Sequence, residues 1–386
     1  MALNRPGLLF HCQHSVGLGH LARSLAVAGA LARAFRVVLL NGGRMPEGIR
    51  IPDGVEVVNL PALGHDDTYA LVSHMAGMDV DEALRRRGEM IAQAMAEVDP
   101  RVVLVELWPF GRKRFGPELE ALAEAAAAQP VPPLVLCSLR DILVNQRRDQ
   151  ARHDERAATA VNRWFDGVLV HSDPAFATLE ESFRPETPLA VPVHHTGFVA
   201  PPAPEPRRRE ARVLVSAGGG MVGAPLALAA ARAAGLVALR TGLRTTVIAG
   251  PFLPEADLEE LRRLEAGSPH LEVVRRVDDL CGHIARSAVS VSQCGYNTAM
   301  DILRAGRPAV VVPYSEGRED EQLRRAERLE AMGVVRVLDP SALAPETFAD
   351  AVARAAQHQP RPHGLDLEGA ERTARIVEEL VAAVPA

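Results

Sequence analysis

The chain has 386 residues, of which 47% are hydrophobic and 24% charged, and a net charge of −6. That length exceeds one ordinary hydrophobic core and suits two domains of about 150 to 200 residues, while the apolar share excludes a disordered polymer. The cations are all arginine except Lys113 and are scattered rather than blocked, so nucleic acid is not an expected partner.

Cys12, Cys137, Cys281 and Cys294 stand far apart and form no C-x-x-C pair, which argues against a zinc or dithiol centre and for reduced thiols in a cytoplasmic protein. The apolar run 8–10 ahead of His11 is too short for a signal peptide, and no later segment reads as long enough to span a bilayer.

In chain order, short β-rich apolar runs fall at 8–12, 36–40, 55–60, 102–107, 133–139 and 167–172, separated by longer helical patterns. Such alternation predicts βαβ units around a parallel sheet covered on both faces. Residues 63–78, with His65, Asp66, Asp67, Tyr69 and His74, show no clear period and read as a loop beside an acceptor. The segment 199–212 carries Pro201, Pro202, Pro204, Pro206 and an arginine run, which excludes regular structure and marks a linker. The rhythm then restarts with runs at 212–218, 244–250, 270–277, 288–293, 308–314 and 334–338. Helices are expected at 279–286, 296–304, 320–332 and 367–384. The chain therefore reads as α/β, with two doubly wound Rossmann-like domains at 1–200 and 212–366, a linker at 201–211, and a last helix within 367–386 that closes the structure.

Open parallel sheets bind ligands beyond the carboxyl ends of their strands, where glycine turns let phosphates approach helix N-termini. Each half has such a turn. The first runs from Gln13 through His14, Gly17 and Gly19 to His20, and the second through Ser216, Gly218, Gly219 and Gly220. Neither is a Walker loop, since no Gly-Lys-Ser/Thr follows. The first lacks a third glycine, and the next strand ends in Asn41-Gly42-Gly43 without the acidic residue a dinucleotide ribose needs. Ordinary turn glycines remain the plain alternative. Further on, a strand ends at Ser292 and Gly295 turns the chain; Asn297 and Thr298 then open a helix that carries Asp301 one turn inside. Free N–H groups there suit a diphosphate, and a carboxylate suits a ribose diol. Glu321 and Gln322 open another helix, where acidic residues are also ordinary helix starters.

The order G-x-x-T-x-x-D, A-G-x-P, VPY and then E-x-Q, from Gly295 to Gln322, resembles the C-terminal domain of glycosyltransferase family 28, typified by the lipid-linked GlcNAc transferase of peptidoglycan synthesis. With the G-x-G-H turn the similarity covers both halves. It is greatest to a group of bacterial predicted glycosyltransferases, through Val105 to Arg112 and Ser138 to Asp141. The resemblance implies a GT-B architecture with two domains facing an interdomain cleft, the donor in the C-terminal half and the acceptor in the N-terminal half. It implies donor contacts at Gly17, Gly19, Ser216 and Gly295, the diphosphate at Gly218, Gly219, Gly220, Asn297 and Thr298, the ribose on Asp301, a base, most often uracil, read by the backbone of Val277, and the donor sugar on Glu321 and Gln322. Asp301 stands where the family usually has Glu. Glu321 replaces a frequent Gln, and the stretch 196–200 lacks the arginine that the peptidoglycan enzymes carry near the donor phosphates.

His20, in the first turn of its helix, is the candidate general base, since a helix N-terminus disfavours the imidazolium; its plain alternative is a hydrogen bond to donor phosphate. Glu106, Arg112, Arg140 and Asp141 follow strand ends and are candidate acceptor contacts. A zinc site at His11, Cys12, His14 and His20 is explained better by ordinary packing, so no metal and no cofactor beyond a nucleotide-sugar donor is expected. The acceptor is unidentified, and peripheral membrane contact follows only if it is lipid-linked. The competing activities are a nucleotide-sugar hydrolase or epimerase of the same architecture, and a non-catalytic sugar-nucleotide binder.

Overall fold

The structure is a computed structural model that describes residues 5–14, 19–46, 48–65, 70–144, 147–219, 222–314 and 320–384. The chain divides into two units, Met1–Val199 with Asp366–Ala386, and Ala200–Leu365.

The first unit contains β1 (Gly7–Cys12), α1 (Gly19–Leu31), β2 (Arg36–Asn41), β3 (Val55–Asn59), β4 (Leu63–His65), β5 (Leu71–Ser73), α2 (Val80–Val98) and β6 (Pro100–Glu106). It continues with α3 (Gly116–Ala127), β7 (Leu134–Arg140), α4 (Gln150–Trp164), β8 (Gly167–His171) and β9 (Val193–His195). Seven strands form one sheet in the order β3-β2-β1-β6-β7-β8-β9, and every pairing in it is parallel. β1 and β8 are buried at every position, which is why they read as unbroken apolar runs rather than alternating ones. Their alternate residues serve opposite layers. Leu9, Val103 and Val105 pack with Ile91, Leu119 and Val161 from α2, α3 and α4, whereas Leu8, Phe10 and Leu104 pack under α1.

The second unit contains β10 (Arg212–Ser216), α5 (Ala224–Thr241), β11 (Arg244–Ile248), α6 (Glu255–Ala266), β12 (Leu271–Val274) and α7 (Leu280–Arg286). Then follow β13 (Val289–Ser292), α8 (Tyr296–Ala305), β14 (Ala309–Val311), α9 (Glu321–Ala331), β15 (Arg336–Val337) and α10 (Pro345–Ala356). Its sheet is parallel in the order β12-β11-β10-β13-β14-β15. The last helix, α11 (Gly369–Ala383), returns to the first unit. There Ala374 and Val377 join the layer under α1, and Phe198 donates its N–H to the Asp366 carbonyl at 2.8 Å.

Two expectations need correction. Residues 63–78 are not a plain loop: β4 and β5 pair antiparallel, while Asp66, Asp67 and Tyr69 lie outside the described residues. The expectation that no segment reaches spanning length also fails, because α5 is long and apolar enough to cross a membrane by length and composition. Its apolarity has a different use here, since Leu226, Ala227, Ala230, Ala234 and Val237 pack into the core of the second unit.

Candidate functional site

In both sheets the strand order reverses beside the first strand, between β1 and β6 and between β10 and β13. In an open α/β sheet such a reversal is the usual ligand position, beyond the carboxyl ends of the strands.

At the first switch point His20 sits in the first turn of α1 and Glu106 ends β6. The Glu106 carboxylate is fully buried. Its Oε1 accepts from His20 Nδ1 at 2.6 Å and from Arg23 Nη2 at 2.5 Å, and Arg112 Nη2 lies 4.0 Å from Oε2. A ring nitrogen so close to a carboxylate carries the proton, which fixes the neutral tautomer with the lone pair on Nε2. Burial first, then the Arg112 and Arg23 charges, oppose a second proton and take the His20 pKa down to about 3, although the Glu106 charge pulls the other way. Burial alone would raise the Glu106 carboxyl; His20, Arg23 and Arg112 outweigh it and hold the group well below the usual carboxylate range. With 17% of its side chain exposed, His20 is a neutral base at the surface of a buried ion cluster.

The segment that carries Arg112 is tightly shaped. Leu107 and Arg112 adopt left-handed backbone at φ 65° and 58°, a conformation that costs energy for residues with a Cβ and persists where surroundings over-determine it. Aromatic packing supplies that restraint: Trp108 meets Phe165 at 5.5 Å and Phe110 meets Phe183 edge-on at 4.8 Å. The neighbouring thiols are not nucleophiles. Burial, then the Glu106 charge, takes Cys12 up to about 12 and raises Cys137 well above the ordinary thiol value.

A buried network holds Gln13 and His14 at the end of β1. Arg87, fully buried, donates to both Glu118 oxygens at 2.6 and 2.7 Å, to Gln13 Oε1 at 2.8 Å and to the Gly42 carbonyl at 2.9 Å. Gln13 passes the restraint on to the Leu63 and His14 carbonyls, both at 3.0 Å. A second chain crosses the ends of β7, β8 and β9, where His171 bonds Ser138 Oγ at 2.8 Å and Thr196 Oγ1 at 2.9 Å. Burial first, then the Arg23 charge, takes the His171 pKa down to about 3.

At the second switch point Ser216 pairs with Ser292, so Gly218, at φ 58°, and Gly295 open adjacent loops. Gln293 Nε2 donates to the Val222 carbonyl at 3.1 Å and joins the two loops. Gly295 is the N-cap of α8, which has no side-chain cap and no acidic residue in its first turn. Asn297 and buried Thr298 lie in that first turn, where the helix dipole favours an anion. A Cβ on Gly295 would meet open space, as expected of a glycine facing a ligand. Asp301 lies one turn further along, and burial, then the Asp279 charge, raises its pKa to about 7. Asp279 caps α7 through Gly282 N–H at 2.8 Å and follows Val277, so the segment expected to read a base and the carboxylate expected to hold a ribose face each other electrostatically. Gln322 has a positioning contact: its Oε1 accepts from Cys294 N–H at 3.0 Å and Tyr314 N–H at 3.1 Å. Glu321 opens α9 beside it, and buried Arg325 donates to the Cys294 carbonyl at 2.8 Å.

The predicted residues thus gather in two places: His20 and Gly19 with Glu106, Arg112, Arg140 and Asp141 in the first unit, and Ser216, Gly218, Gly219, Val277, Gly295, Asn297, Thr298, Asp301, Glu321 and Gln322 in the second. Gly17 and Gly220 lie outside the described residues. Glu106, expected to face an acceptor, is instead the buried partner of His20, and Asp141 is 1% exposed. Sequence reasoning missed Arg23, Arg87, Glu118, His171 and Arg325. Arg23 was within reach of it, since it sits one helical turn after His20 and faces the same way.

Residues 219–380 match the glycosyltransferase family 28 C-terminal domain. The UDP-N-acetylglucosamine–N-acetylmuramyl-(pentapeptide) pyrophosphoryl-undecaprenol N-acetylglucosamine transferase of Syntrophotalea carbinolica is 31% identical over 107 residues, 27% of this chain and 30% of that protein. The enzyme of the same name from Rhizobium johnstonii is 28% identical over 270 residues, 66% of this chain and 69% of that protein. The match therefore spans less than a third of the first relative's length. The crystal structure of CalG4, the calicheamicin glycosyltransferase, superimposes with a TM-score of 0.63 at 19% identity, over 99% of this chain and 100% of that one. Two doubly wound parallel sheets with this likeness define the GT-B fold. Within that class, residues 219–380, which take in most of the second unit and of α11, carry the glycosyltransferase family 28 C-terminal domain.

Proposed function

We propose that this chain transfers a sugar from a nucleoside diphosphate donor, UDP-linked as in the names of its relatives, to a hydroxyl acceptor without a metal ion, with His20 as general base. The observation that carries this reading is the neutral imidazole locked by buried Glu106 at the switch point of the first sheet. His20 Nε2 takes the acceptor hydroxyl proton as that oxygen bonds the anomeric carbon. The bond from the anomeric carbon to the diphosphate breaks, and its electron pair leaves on the nucleoside diphosphate. Glu106 stabilises the imidazolium, while the N-terminus of α8 receives the developing phosphate charge. In this reading the helix dipole performs the neutralisation a metal would otherwise supply. Cys12, Cys137, Cys281 and Cys294, buried and joined by no disulfide among the described residues, fit a reducing, cytoplasmic setting. Membrane contact would follow if the acceptor, like that in the relatives' names, is linked to undecaprenol.

The test measures binding and chemistry apart. His20→Ala should lower turnover by about 10²- to 10⁴-fold and leave the calorimetric affinity for UDP nearly unchanged. A variant with normal UDP binding and full acceptor-dependent turnover removes His20 from catalysis. Wild-type release of nucleoside diphosphate at full rate in water alone would make the chain a hydrolase.

A further inference from the structure

Glu106 is one carboxylate facing two guanidiniums and a neutral imidazole. Arg23, only 3% exposed, takes the close contact at 2.5 Å. Arg112 stands off at 4.0 Å from the other oxygen, and its Nε and Nη2 are buried without any hydrogen-bond partner among the described residues. A guanidinium has five N–H donors, and leaving them unmet in a buried place is costly. As a counter-ion Arg112 is redundant, because Arg23 already neutralises Glu106. Burial, as the largest cause, takes its pKa below the ordinary arginine value; Glu106 opposes this, while the Arg140 and Arg23 charges add to it. Arg140 ends β7, two residues beyond Ser138, which is registered with Glu106, and the Arg140 charge reaches Arg147 in turn. The strained, aromatic-packed segment 107–112 fixes Arg112 in this position, 14% exposed.

Resting on the proposed function, and deepening it, we propose that the acceptor is anionic: Arg112, with Arg140 nearby, binds a carboxylate or phosphate group carried a few atoms from the hydroxyl delivered to His20. The two side chains approach the two oxygens of one carboxylate, His20 on Oε1 and Arg112 beside Oε2. A single small molecule can therefore present its hydroxyl to one and its anion to the other. An anion on Arg112 meets the unused donors and places the acceptor for proton transfer, a bidentate recognition for which lysine geometry is a poor substitute.

The test uses the full chain. Inorganic phosphate, and separately acetate, is titrated at constant ionic strength against chloride while the His20 Cε1–H NMR signal is followed. Both anions should shift the signal saturably in the wild type, with at least about fivefold weaker binding in Arg112→Gln and intermediate binding in Arg112→Lys, following the loss of a charged bidentate contact. Turnover is then compared for matched acceptors: a sugar, its 6-phosphate and its uronic acid. The anionic members should exceed the neutral one by roughly 10- to 100-fold in kcat/KM, mostly through KM, and whichever leads identifies the group. The inference falls if neither anion shifts the signal, if Arg112→Gln retains the response, if the neutral sugar is used equally well, or if Arg112→Gln weakens UDP as much as acceptor. UDP calorimetry on the same wild-type samples separates the failures, since loss of UDP binding would sink the proposed function and leave the anion response to decide this site.

Discussion

Replacing Glu106 by Gln removes one charge with almost no change in shape. The amide oxygen can still accept from His20 Nδ1, which now holds it at 2.6 Å, so ring orientation largely survives. What disappears is the negative charge that stabilises the imidazolium formed during proton transfer, and turnover should fall by about 10²- to 10⁴-fold. Stability suffers separately. Arg23 is 3% exposed and Glu106 fully buried, and removing one partner of a buried pair costs about 3 to 5 kcal/mol because the other charge stays buried. For a unit of this size that corresponds to roughly 6 to 20 °C in its unfolding midpoint. The pH sign follows from the depressed Glu106 carboxyl. The folded state binds that proton less readily than the unfolded chain, so the stabilisation is present above the unfolded value of 4.5 and is lost as pH falls below it. The gap between variant and wild type should therefore be steady at neutral pH and shrink on acidification. Differential scanning calorimetry gives the midpoints, and nucleoside diphosphate release gives the rates. Midpoints within 2 °C together with turnover within threefold of wild type, taken as roughly the limits of a neutral surface change, would refute the assignment.

Gly295→Ala should leave the unfolding midpoint nearly unchanged, because φ is −62° and the new methyl meets open space, yet weaken UDP by about tenfold or more where that methyl displaces the diphosphate; unchanged UDP affinity would place the diphosphate elsewhere. Asp301, with its pKa raised to about 7, should make UDP-sugar affinity rise with pH through neutrality, since the carboxylate is the better acceptor for ribose hydroxyls; the intact donor is the proper ligand because its diester phosphates do not titrate in that range. Asp301→Asn should abolish the slope. It should also stabilise the free protein more at pH 8 than at pH 5, because a raised carboxyl pKa costs stability as pH rises toward it. A flat profile in the wild type, or an unchanged slope in the variant, would make Asp301 structural.

The parallel sheets were legible because strands buried on both faces must be continuous apolar runs, as in 102–107 and 167–172. β9 was not, because it has only three residues and Pro192 precedes it, and proline argues against a strand. The hairpin of β4 and β5 was missed since strands of three residues carry too little pattern to separate from a loop. At the site, glycine turns and His20 were visible as local motifs, but the pairing of His20 with Glu106 spans 86 residues and exists only because β6 lies beside β1. Arg87 and Glu118 look like ordinary solvated helix charges in sequence; only the packing of α2 against α3 turns them inward to each other.

The measurement that bears most directly on the central claim is a panel of nucleotide sugars incubated with the full chain in EDTA, scored for nucleoside diphosphate release with and without a cell extract as the acceptor source. The expected result is slow release of UDP alone and release several-fold faster with extract, both strongly reduced in His20→Ala. Release that needs a restored divalent ion, or that extract never accelerates with any donor, would contradict a metal-independent sugar transfer driven by His20.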